Sequence, residues 1–155
     1  MTIQREFKFR AWNKERKEMF KVGQVWTLEP YSVCAAVVDQ HDNYYSMHDI
    51  ALMQYTGMKD DKGNGVEIYE GDILEYDNRA CDKKNNGDVN FLNGAFRVSN
   101  SEFNFIETIY IGNGKVVGNI YENPEILIKY YKSIYVDYKG ENNESNWSSE
   151  EWKTV

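Results

Sequence analysis

Apolar and polar positions recur along most of this chain with the period of strands. From Glu6 to Trp12, Phe7, Phe9 and Ala11 alternate with Lys8, Arg10 and Trp12, as on a half-exposed strand. A polar turn over Asn13 to Lys17 leads to a second strand, Glu18 to Trp26, and the two make a hairpin. Tyr31 to Val38 is a nearly continuous apolar run suited to a buried strand, and Asp39 to Asn43 turns it. The stretch from Ala51 to Tyr76 organises the rest. Two β-segments flank a long turn over Lys59 to Gly65, where Gly63 and Gly65 are expected at positive φ and Asp60, Asp61 and Asn64 can fold onto backbone amides. Gly71-Asp72 marks a second tight bend before Ile73, Leu74 and Tyr76.

Further on, Asp77 to Gly87 reads as a polar loop, followed by Asp88 to Leu92, Asn93-Gly94 and Ala95 to Val98. Asn-Gly between alternating strands predicts a type I′ hairpin, because both residues accept left-handed backbone conformations. Phe103, Phe105 and 109–111 supply another strand, and Lys115 to Ile120 returns after a turn at Gly112-Asn113-Gly114. Pro124 fits the first turn of a helix with Asn123 as its cap, with strand as the alternative for Ser133 to Tyr138. The expected architecture is all-β and mainly antiparallel. An N-terminal β-subdomain (1–56) precedes a small SH3-like barrel (57–128), and a C-terminal extension (129–155), partly disordered, follows as short helix or tail with Trp147 and Trp152 as stray anchors.

Three motifs tie the chain to a known family. Met53-Gln54-Tyr55-Thr56-Gly57 followed by Glu67-Ile68-Tyr69-Glu70-Gly71-Asp72-Ile73 resembles the pattern of the YopX family, proteins of phages and prophages. The opening Phe7-Lys8-Phe9-Arg10-Ala11-Trp12 is similar to that family's first strand, and Gly118 to Glu125 to its closing segment. The turn between Gly57 and Glu67 is longer than the family pattern by Gly63-Asn64-Gly65-Val66. The resemblance implies an all-β fold, a phage or prophage origin and oligomer formation; it brings no activity and no catalytic residues.

Composition narrows the function. At 155 residues, 41% hydrophobic and 15% aromatic with two prolines, the chain can bury a core without staples. No run approaches the roughly 18 apolar residues of a membrane span, and no signal-peptide run precedes Phe7, so the bacterial cytoplasm is the expected compartment, with no membrane partner. Free thiols are the expected state of Cys34 and Cys81 there, a disulfide between them staying open. The net charge of −7 disfavours nucleic acid as a partner, since each phosphate contact needs a cation. Arg5, Lys8, Arg10, Lys14, Arg16, Lys17 and Lys21 nevertheless outnumber the acids of the first hairpin. That hairpin reads either as a basic finger or as a solvated edge guarded by lysines.

Candidate chemistry is sparse. His41 and His48 lie near Asp39, Asp42 and Asp49 but match no metal-ligand spacing, so no metal or other cofactor is expected. Glu67, Glu70, Asp72 and Glu75 lie on opposite strand faces or at a bend, where acids take up free amides, and no nucleophile or oxyanion hole accompanies them. No catalytic residue is assigned, and Gly57, Gly71 and Asp72 are expected as structural turn residues. The favoured function is a non-enzymatic, homo-oligomeric module that contacts itself and a host or phage protein through Arg10, Trp12, Arg16, Lys17, Tyr55 and Tyr69. The alternatives are a nucleic-acid-binding module using the basic hairpin and a metal-dependent enzyme.

Overall fold

The computed structural model describes residues 6–28, 33–63, 65–78, 83–99, 106–107 and 114–128. Among these residues eleven strands make two antiparallel sheets: β1 (Phe9–Asn13), β2 (Glu18–Leu28), β3 (Val33–Asp39), β4 (Tyr44–Ser46), β5 (Ile50–Lys59), β6 (Glu67–Tyr69), β7 (Asp72–Asn78), β8 (Lys83–Leu92), β9 (Ala95–Ser99), β10 (Ile106–Glu107) and β11 (Lys115–Asn119). The first sheet has the order β4-β3-β2-β1-β5-β6 and the second β10-β9-β8-β7-β11. Residues 124–128, opening at Pro124, are helical. The all-β expectation therefore holds.

Several local signals act as the sequence predicts. Asn93 and Gly94 both have positive φ, 53° and 78°, in the turn between β8 and β9, and Phe91 pairs across it with Phe96. Asn13 organises the β1–β2 turn through its side-chain oxygen, which accepts the amides of Glu15 and Arg16 at 3.0 and 2.9 Å. Its carbonyl accepts the Lys17 amide.

Three expectations change. β1 is not at an edge: it lies between β2 and β5, so Ala11, Trp12 and Asn13 are all buried and its alternation of exposed and covered faces is lost. Lys83 to Gly87 is not a loop but the first half of β8, paired residue for residue with β7 from Asn78↔Lys83 to Ile73↔Asp88. Pairing on the ladder outweighs the poor strand propensity of four polar residues and a glycine. Gly63 is not in the left-handed region; it supplies space, since a Cβ there would lie 1.9 Å from Asp60 Oδ2. Gly65 does have positive φ.

The strands change sheet at Glu70-Gly71, and residue 56 lies inside β5. β5 and β6 belong to the first sheet but reach into the second core, where Ile68 and Met58 pack with Leu74, Tyr76, Val89 and Val98. A second cluster joins Ala11, Val37 and Ile50, with Phe20, Tyr45 and Leu52 against it. Each such side chain, fully buried, contributes roughly 1.5–3 kcal/mol. Outside the described residues lie Asn64, Cys81, Phe103, Phe105, 109–111 and the expected extension over 129–155 with Trp147 and Trp152, and with them what was expected there. The side chain of Cys34 is likewise not described, so neither thiol expectation is tested.

Candidate interaction surface

The bend between the sheets is built from backbone outward. Gly71 takes φ 77°, which a side chain would strain, and its amide and carbonyl bond toward the second sheet while the preceding Glu70 amide bonds to the first. Its amide donates to Val89 O at 2.8 Å and its carbonyl accepts the Ile120 amide at 2.9 Å, while Glu70 N donates to Gln54 O. Asp72, 1% exposed, closes the bend by accepting the Tyr69 amide on Oδ2 at 2.7 Å. Its other oxygen accepts from Arg10 Nη2 at 2.5 Å. Burial pushes the Asp72 carboxyl up, and the Arg10 guanidinium and the Tyr69 amide pull it back.

A ladder of charge and aromatic rings continues from this pair. The Arg10 guanidinium lies over the Tyr69 ring at 4.8 Å, and Tyr69 and Tyr55 stand 5.4 Å apart, tilted by 46°. Tyr69 Oη donates to Glu67 Oε2 at 2.9 Å, and Lys8 Nζ donates to Glu67 Oε1 at 2.6 Å. Burial and then the bond to Glu67 push the Tyr69 hydroxyl up to about 12. The bonds from Lys8 and Tyr69 hold Glu67 below the usual carboxylate range, and the same carboxylate raises Lys8. At neutral pH the tyrosine is thus neutral and both ions stay charged. Each group is occupied by its neighbour, and none is poised to exchange a proton near pH 7.

The acidic positions elsewhere hold turns. Asp39 accepts from Asn43 Nδ2, from the Asn43 and His41 amides and from the Tyr45 hydroxyl, and the Asn43 bond leads in holding its carboxyl at about 2. Buried Asp60 accepts the Val66 amide on Oδ1 at 2.9 Å and the Val116 amide on Oδ2 at 3.0 Å, tying the long turn to β11. Arg16, Lys21, His41 and Tyr45 border a shallow groove of about 460 Å³. Among the described residues no three His, Cys, Asp or Glu side chains come together to hold a metal ion. No helix among them is long and apolar enough to cross a membrane.

The six residues expected at a contact surface fall into two groups. Arg10, Trp12, Tyr55 and Tyr69 come together inside or beside the junction: Trp12 is 6% exposed and stacks on Tyr121 at 5.9 Å, and Tyr55 is buried. Trp12 and Tyr55 are corrected to internal residues, because β1 and β5 are central strands, while Arg10 and Tyr69 are half-buried beside them. Arg16 and Lys17 do sit exposed at the β1–β2 turn. Gly71 and Asp72 form their bend as expected, and Gly57 has φ 86° within β5.

Sequence reasoning missed the side chains that are in fact outside. Trp26, 51% exposed, meets exposed Tyr44 edge-on at 6.1 Å and donates its Nε1 to Gln24 Oε1. Phe91 and Leu92 are exposed beside the Asn93-Gly94 turn, with Phe91 edge-on to Phe96 at 5.1 Å. The pattern offered one signal for each pair, an aromatic near the end of its hairpin strand.

A family model described as YopX protein matches residues 8–128. Among solved structures, the chain is similar to protein EF1440 from Enterococcus faecalis, with 29% identity and a TM-score of 0.58 over 80% of this chain and 99% of that one. It shares its fold with protein yopX from Bacillus subtilis, with 19% identity and a TM-score of 0.52 over 77% of this chain and 97% of that one. A comparison with curated proteins returned no match.

Proposed function

Because the chain belongs to the YopX family, we propose that it is a non-enzymatic interaction module of phage or prophage origin, working in the bacterial cytoplasm as a homo-oligomer that contacts a host or phage protein. One observation carries this reading: large apolar side chains are outside while the charged groups of the junction satisfy one another. Trp26 and Tyr44 stand exposed on the first sheet and Phe91 and Leu92 on the second. Such side chains contribute little to a lone chain and much to an interface, where aromatics are enriched. The junction in turn holds two sheets in one arrangement, a rigid base for a contact surface.

Nucleic-acid binding is the second reading, supported by exposed Lys14, Arg16 and Lys17 on one turn. Part of that charge is already engaged, since Lys14 Nζ donates to His48 O and Arg16 pairs with Glu18 at 3.6 Å. Retention on heparin or DNA separates the two. The proposal expects none at low salt, together with self-association in sedimentation velocity. Strong retention that falls steeply with salt would favour the second reading.

A further inference from the structure

The edges of the two sheets are guarded unequally. β4 and β6 offer three residues each and β10 two, while β11 begins with Lys115 and carries an irregularity between Val116 and Gly118. Short strands, charges and bulges are the devices that keep sheet edges from pairing with another chain. One long edge is neither short nor charged, although the β2–β3 register shifts at Gly23 and again between Trp26 and Thr27. β2 pairs with β1 only over Glu18 to Lys21, and its remainder runs on beside β3 alone. A bulge at Gly23, where a Cβ would press to 3.1 Å on Asp39 O, bends the strand as it leaves β1. β1 meanwhile leads back to β5, Lys8 O accepting the Tyr55 amide. Among the described residues no strand covers the far edge of Gln24 to Leu28.

This ribbon is apolar and uncharged. Val25 and Trp26 are exposed, and no charged side chain occurs from Val22 to Leu28. β4 backs β3 at Ala36 to Val38, opposite Gln24 to Trp26, so this strip is the open side of a three-stranded part of the sheet, and its unpaired backbone groups are a template for a further strand.

We propose that Gln24–Leu28 pairs antiparallel with the same strand of a second copy of this chain, continuing the first sheet across a two-fold axis. The inference rests on the homo-oligomer reading and gives it a place. A free antiparallel edge is self-complementary, the requirement for a two-fold contact. Charge points to a second copy as well: in a chain of net charge −7, this strip lets two copies meet without setting like charges opposite each other. Pairing about the middle residue sets Trp26 beside Trp26 of the other copy and Val25 opposite Thr27, an aromatic pair flanked by β-branched pairs.

Two measurements on the full chain test it: amide hydrogen exchange of residues 24–28 across a range of protein concentration, and solution mass of Trp26→Lys, which would set two cations face to face, beside Trp26→Phe. The expected result is slower exchange at 24–28 as concentration rises, loss of the oligomer in Trp26→Lys and its retention in Trp26→Phe. An oligomer whose amides at 24–28 exchange at the same rate at every concentration overturns this inference and leaves the homo-oligomer reading standing. A single-chain mass at every concentration overturns both. If Trp26→Lys fails to fold, the exchange data on the unaltered chain decide.

Discussion

Arg10 of the first sheet donates to Asp72 at the start of the second, 2.5 Å away and across the bend where the chain changes sheet. Because the same carboxylate also takes the Tyr69 amide, one side chain fixes both the bend and the approach of β1. Asp72→Ala leaves Arg10 without its partner and the Tyr69 amide without its acceptor. The expected loss is about 3–5 kcal/mol of unfolding free energy in urea titration. Asp72→Asn keeps an oxygen for the amide and loses less. An unchanged melting temperature in Asp72→Ala would remove the residue from this role.

Trp12 separates the two accounts of β1. As a buried side chain stacked on Tyr121, its replacement by alanine costs about 3–5 kcal/mol. As a contact residue in solvent it would cost nothing measurable. Thermal unfolding of Trp12→Ala decides between them.

Gly63 and Asp60 form a close pair in the long turn. Gly63→Ala drives a methyl group into a carboxylate held by the Val66 and Val116 amides, at an expected cost of about 1–3 kcal/mol. In an Asp60→Ala background the same change is expected to cost less. A double-mutant cycle showing strict additivity would contradict the contact.

Asp39 supplies a pH signature. Its folded pKa, about 2, lies below the unfolded value, so its stabilisation is complete above about pH 4 and disappears as pH falls through 2. The stability gap between the protein and Asp39→Ala is therefore expected to stay constant from neutral pH down to about 5 and to close below 4. A gap that widens on acidification would reverse the sign of this argument.

What the sequence made legible were features determined within a few residues. Asn93-Gly94 turns where its backbone freedom requires, Gly71-Asp72 bends, and the strand period places β1, β2 and β3. Pairings between distant segments were not legible. Nothing local in Lys83 to Gly87 marks a strand; only the β7 ladder makes it one, and Gly87 admits β9 so closely that a Cβ would lie 2.6 Å from Ser99 O. Lys8 and Arg10 look like surface residues until Glu67 and Asp72 arrive from about sixty positions away. The exposed Trp26 was equally hidden, because alternation does not tell that β1 ends before the outer half of β2.

The central claim is self-association, and light scattering across a concentration series, with and without a short DNA duplex at low salt, tests it most directly. The account predicts a discrete mass that is a multiple of the 18.2 kDa chain and does not change with DNA. A single-chain mass throughout, or a mass that rises with DNA and falls back in salt, would contradict it.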